Sequence, residues 1–244
     1  MADSRLITVP RVIVDVLASL SRAVGTPVML AGGWAVHCRL ALVNRMARPT
    51  EDIDVALRRG MRPARAALAA INAMQDDPQH AARLSGFPLI VDLLADDVDE
   101  ALKAEPGLVR DVDGLQMMVP PFADLLAHRV ELVTLDAEGV STVILLPRAG
   151  ALFASKLGCL YLEYREPRKK ASDGLDALAL LEAYGPTALA EDVARTPPER
   201  RALLATRLQG VGFSALAAQA RVAGGEPYPE GAVAVAELVR LLRT

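Results

Sequence analysis

The sequence predicts an α+β protein, with an N-terminal mixed sheet flanked by helices over residues 1–147 and a helical region over 148–244. Three observations carry that prediction. Short apolar runs alternate with helical stripes as far as Pro147. Beyond Pro147 the pattern is helical throughout. Between two of the early runs stand a glycine pair, Gly32-Gly33, and an Asp52-Ile53-Asp54 alternation. A chain of 244 residues can bury a sizeable core, in one large domain or two small ones.

The elements follow in order. Apolar residues at Val12, Val16, Leu17 and Leu20 form a helical stripe over 11–23, closed by Gly25-Thr26-Pro27. Residues 28–31 read as a strand, 34–43 as a helix, 44–49 as a loop holding Arg45 and Arg48, and 53–57 as a second strand. An alanine-rich helix is expected over 63–74, with proline suited to its first turn. Residues 89–94 form a buried-looking strand with Asp92 in its middle. Runs at 109–112 and 115–119 flank Asp113-Gly114, a two-residue hairpin signal. Another strand is expected over 140–146, stopped by Pro147. Helices follow over 149–164, 171–184, 187–210 and 213–244, interrupted at Gly185-Pro186, Pro197-Pro198 and Gly224–Pro229. No internal repeat is evident.

Composition excludes several classes. Hydrophobic content of 52% and charged content of 23% describe an ordinary soluble protein, and no apolar run reaches the roughly 18–20 residues of a membrane span. The start of the chain, with Asp3 and Arg5 before Leu6, is not a cleavable signal, so a cytoplasmic location without membrane partners is expected. A net charge of −3 does not advertise nucleic-acid binding by the whole molecule, so an RNA partner needs a local basic patch. Arg165, Arg168, Lys169 and Lys170 form the one concentrated basic segment. It reads either as a solvated connection between helices or as a track for an RNA backbone. Cys38 and Cys159 are too few for zinc or a disulfide framework and read as small buried hydrophobes. His37, His80 and His128 lack an identifiable acid or nucleophile partner.

Residues i and i+2 of a strand face the same way, which sets Asp52 and Asp54 side by side, roughly 6.5 Å apart at Cα. Two such carboxylates can share a divalent-ion site. Paired glycines at a strand-to-helix turn let backbone approach a ligand, and the N–H groups opening the helix attract phosphate. Asp92 in an apolar strand needs compensation, by a metal or a nearby cation, unless it sits at a strand end facing solvent. Lys156, among Leu152, Phe153, Leu157 and Leu160, either snorkels to water or meets an anion.

Gly32-Gly33-Trp34-Ala35 followed by Arg48-Pro49-Thr50-Glu51-Asp52-Ile53-Asp54 resembles the signature of the nucleotidyltransferase (polymerase-beta-like) superfamily. Within it the chain is most similar to AbiEii-type toxins of toxin–antitoxin systems and to the aminoglycoside and lincosamide nucleotidyltransferases. The resemblance covers 28–57 strongly and 147–184 moderately. It implies an N-terminal nucleotidyltransferase-type sheet and a transferase moving NMP from an NTP to an acceptor, with release of pyrophosphate. It assigns metal ligation, by two Mg²⁺ ions, to Asp52, Asp54 and Asp92. It places Gly32, Gly33, Trp34 and Lys156 at the nucleotide, and gives Asp173 the role of orienting a group at the cleft, with Asp176 as reserve. The implied acceptor is RNA such as the tRNA 3′ end, reached through Arg165, Arg168, Lys169 and Lys170, and a cognate antitoxin is conceivable. The alternatives are an antibiotic acceptor, a protein side chain, or a non-catalytic nucleotide-binding or antitoxin-like scaffold. Two departures stand out. Trp34 replaces the serine that many members carry after the glycine pair, and His37 stands where the drug-modifying branch has aspartate.

Overall fold

A computed structural model describes residues 6–57, 63–77, 79–95 and 106–244. The chain opens with β1 (Leu6–Thr8), α1 (Arg11–Val24), β2 (Met29–Ala31), α2 (Gly32–Ala41) and β3 (Asp52–Leu57). Then come α3 (Arg65–Ala69), β4 (Arg83–Leu84), β5 (Ile90–Ala95), β6 (Val109–Val112), β7 (Leu115–Met118) and α4 (Ala123–His128). The hairpin β8 (Val130–Ala137) and β9 (Val140–Pro147) leads into α5 (Ala149–Cys159), α6 (Pro167–Val193), α7 (Pro198–Val222) and α8 (Gly231–Leu242). The fold is α+β.

The strands form one mixed sheet in the order β1-β8-β9-β2-β3-β5-β7-β6, with β4 added beside β5. β2 runs antiparallel to β3, and β3 parallel to β5, with Asp54 directly opposite Asp92. One face of the sheet is dry: Leu30, Ile53, Val55, Val91 and Leu93 pack with the buried stripe of α1 and with α2. The other face carries a small apolar patch of Met29, Ala31, Ala56 and Leu94. Register places Asp52, Asp54 and Asp92 on that second face. Main-core residues run from Ile7 to Leu242, so the α5–α8 helices pack into the same hydrophobic cluster as the sheet. Buried Arg39 helps join α2 to the β8–β9 hairpin, donating to the Pro147 and Leu146 carbonyls and pairing with Glu131.

The differences from the periodicity reading have local causes. α3 is five residues long instead of the expected twelve, because Leu68 is its one buried side chain and Asn72 turns left-handed at φ 58°. Alanine propensity without an apolar face to bury does not sustain a short helix. The first helix after the sheet stops at Cys159, and α6 starts earlier than expected, at Pro167 in its first turn. Gly185 breaks α6 as expected (φ 74°, ψ 164°), although helix resumes to Val193. Asp113 and Gly114 both take positive φ, the geometry of the expected tight hairpin. Glu138 and Gly139 do the same between β8 and β9. The reading assigns nothing to 130–137, where the structure places an eight-residue strand with Val133, Leu135 and Ala137 buried at alternate positions. Cys38 and Cys159 are buried free thiols, both pushed up to about 12 by burial. None of the described helices is long and apolar enough to cross a membrane.

Candidate active site

Gly32, the first residue of α2, makes room for Asp54. Its φ is +59°, and a Cβ there would lie 1.7 Å from Asp54 Oδ2 and 2.5 Å from Asp54 Cγ. The glycine thus makes room for the carboxylate itself. Gly33 does the same for the loop before β3, since its Cβ would stand 2.8 Å from Thr50 Oγ1. Thr50 in turn donates to Asp52 Oδ1 at 2.9 Å. Gly32→Ala is therefore expected to displace Asp54 and lower stability by at least about 2 kcal/mol, the left-handed backbone adding to the steric conflict. Thermal denaturation of Gly32→Ala, alone and in an Asp54→Ser background, checks this. Equal losses in the two backgrounds would rule out the carboxylate as the obstacle.

The three aspartates share a face and differ in what answers their charge. Burial pushes the Asp52 carboxyl up, but the Lys169 ammonium bonded to it outweighs that and brings it down to about 2. Asp92 accepts from Arg83 Nε at 3.2 Å, an arginine delivered by the antiparallel pairing of β4 with β5. Asp54 receives no hydrogen bond or ion pair from the described residues, and burial, then the charges of Asp52 and Asp92, raise it to about 6. Among the described residues no three His, Cys, Asp or Glu side chains are gathered to hold a metal ion. The chemistry of the donor set is nonetheless that of a cation site at Asp52 and Asp54. These are two carboxylates on alternate residues, one paired with a half-exposed ammonium and the other without a direct ion pair among the described residues. Asp92 joins the set only if Arg83 releases it.

Across the cavity stands a chain of alternating charges. Arg48 grips Asp176 with Nε at 2.9 Å and Nη2 at 3.0 Å. Asp176 meets Lys156 Nζ at 2.8 Å, Lys156 meets Asp173 at 3.0 Å, and Asp173 accepts from Arg165 Nε at 2.7 Å. Lys156, Asp173 and Asp176 are all buried. Burial alone would lower Lys156, but Asp176 and Asp173 hold it well above the ordinary lysine value. Burial would likewise raise Asp173, and Lys156 with Arg165 bring it down. Lys156 does not snorkel. Two of its three N–H donors serve aspartates, so both candidates from the later region, Asp173 and Asp176, act on it together. With Arg48 and Arg165 included, three cations meet two carboxylates, and the cluster keeps one net positive charge.

Asp54, Gly32, Ala31 and Leu94 form the sheet wall of the cavity, and Ser155, Lys156, Cys159, Arg165 and Asp173 the helix wall. Its volume is about 60 Å³, room for a few waters. Trp34 lies elsewhere: its ring is buried in the main core, 4.9 Å from the His37 ring, and its Nε1 has no hydrogen-bond partner among the described residues.

The basic segment divides in two. Arg165 and Lys169 turn inward to Asp173 and Asp52, whereas Arg168 lies exposed on the first turn of α6 and Lys170 is half-buried. Sequence reasoning missed Arg48 and Arg83 as site residues. The Arg48-Pro49-Thr50 run before the Asp-Ile-Asp strand offered a signal for the first. Nothing in the sequence ties Arg83 to Asp92, because a two-residue strand has no readable periodicity. No family model, curated protein or solved structure matches the chain.

Proposed function

We propose that the protein is a metal-dependent nucleotidyltransferase that moves NMP from an NTP to an acceptor hydroxyl and releases pyrophosphate. The observation that carries this reading is Asp54. It is a carboxylate with no direct ion pair or hydrogen bond among the described residues, beside Asp52 and Asp92, fitted under a glycine opened for it, facing a buried cluster with net positive charge. Asp52 and Asp54 would hold divalent ions, with Asp92 as a further ligand or as acceptor of the hydroxyl proton once Arg83 lets go. Bound there, such ions neutralise charge on phosphoryl oxygens. Gly32 and the opening of α2 offer backbone to phosphate oxygens. Lys156 retains one N–H donor for the leaving pyrophosphate, and Asp173 and Asp176 hold its ammonium in place. The acceptor we favour is RNA with a free 3′ hydroxyl, such as the tRNA 3′ end, in a toxin-like role.

Incubation with each labelled NTP, Mg²⁺, total tRNA and a panel of aminoglycosides and lincosamides tests the reading. Label on tRNA, abolished by chelator, is the expected result. Label on a drug with unlabelled tRNA would replace the acceptor, and NTP binding without transfer to either would favour a scaffold.

A further inference from the structure

Beside the cavity lies an unused cation held between aromatic rings. The Arg207 guanidinium of α7 stands 5.3 Å from the ring centroid of Phe122 and 5.3 Å from that of Tyr161. Arg200, two turns earlier, stands 5.1 Å from the same Phe122 ring. Arg200 is answered by Asp124. The Arg207 guanidinium makes no hydrogen bond or ion pair with the described residues, and burial, with Arg200 nearby, lowers its proton affinity. The Tyr161 hydroxyl donates to the Arg207 carbonyl, which fixes ring and helix together. Phe122 is held left-handed at φ 55°, a conformation that a bulky residue adopts only when its surroundings impose it.

The position matters as much as the chemistry. Pro121, next to Phe122, and Leu162, next to Tyr161, both line the cavity that contains Asp54 and Lys156. Tyr161 lies two residues beyond the end of the helix that carries Lys156. Tyr161 is 42% exposed and Tyr164 69% exposed. A half-buried guanidinium with free donors suits a phosphate, and exposed tyrosine rings suit unstacked bases. A cationic drug would meet repulsion from the same guanidinium.

We propose that Phe122, Tyr161, Tyr164 and Arg207 form a platform for the single-stranded 3′ end of a nucleic-acid acceptor. Arg207 takes a backbone phosphate, and the tyrosines stack bases as the terminal hydroxyl enters the cavity. This rests on the nucleotidyltransferase reading with an RNA acceptor. It moves the acceptor track away from Arg165 and Lys169, whose charges are engaged within the site.

Binding of a short fluorescein-labelled single-stranded RNA, followed by anisotropy across a salt series, tests the platform without requiring turnover. Arg207→Gln is expected to weaken binding about tenfold at low salt and to flatten the salt dependence by about 0.7 in the log–log slope, the loss of one single-strand phosphate contact. Tyr164→Ala, at an exposed site with no fold at stake, is expected to weaken binding about tenfold without changing the slope. Arg240→Gln on α8 removes the same charge as Arg207→Gln and is the control for net charge, expected to leave both quantities near wild type. Wild-type binding retained in Arg207→Gln and Tyr164→Ala overturns the platform alone. Wild-type protein that binds NTP but no RNA overturns the RNA acceptor, and the platform with it.

Discussion

If the protein transfers NMP as proposed, Asp54→Asn is expected to abolish that transfer, by about a thousandfold or more, and in the cation-free protein to raise the melting temperature at neutral pH. The first half follows from removing the carboxylate on which the proposed ion site depends. The second follows from linkage. A carboxyl raised to about 6 in the folded chain, against an ordinary 3.8, is favoured while protonated. Its contribution to stability is complete below about pH 4 and lost as the pH rises through 6. At pH 7 the half-buried charge costs on the order of 2–3 kcal/mol, which asparagine does not incur, so a gain of roughly 5–10 °C is expected at neutral pH. It should vanish below pH 4. Asp52→Asn has the opposite stability sign. Asp52 is held at about 2 by Lys169, so its stabilisation is present above pH 4 and lost as the pH falls through 2. Asparagine there loses it, by a smaller amount because the Lys169 side chain is 49% exposed. Both variants are expected to lose transfer while their melting temperatures at pH 7 move in opposite directions. Near-normal turnover in either one, with Mg²⁺ present, would refute the site.

Lys156→Met carries the second large effect. Its removal leaves Asp173 and Asp176 buried without the ammonium between them, and breaking a buried pair in this way costs about 3–5 kcal/mol. In a chain of this size that corresponds to a fall of roughly 10 °C in melting temperature, read by calorimetry. Transfer is expected to fall at least tenfold at a temperature where the variant is folded, because the proposed donor to pyrophosphate has gone. Lys156→Met with Asp176→Asn should recover part of the stability and none of the activity. A Lys156→Met protein as stable as wild type would remove the network from the account.

The helical half behaves differently from the sheet in how it could be read. Strand and helix positions in 28–57 follow from residue spacing, since period 2 brings Asp52 and Asp54 to one face whatever the rest of the chain does. The Asp113-Gly114 turn and the break at Gly185 are equally local, each set by backbone conformations that those residues tolerate. The short alanine-rich α3 and the strand β8 escaped because propensity and burial are separate matters. An alanine run propagates a helix only where it finds something to bury against, and β8 is a strand because β1 and β9 pair with it.

The amino-acid sequence by itself determined the α+β order, the glycine turn and the two facing carboxylates, all products of spacings within a few residues. Tertiary structure alone decided which charge answers which. Arg83 reaches Asp92 through a strand pairing, Arg48 reaches Asp176 across 128 positions, and Lys169 reaches Asp52 across 117. Charge partners are chosen by distance in space, and long flexible arginine and lysine side chains leave no periodic trace of where they will arrive. Lys156 shows this within one helix: its apolar neighbours left open an ammonium reaching for water or one meeting an anion, and two aspartates from the next helix kept it inside.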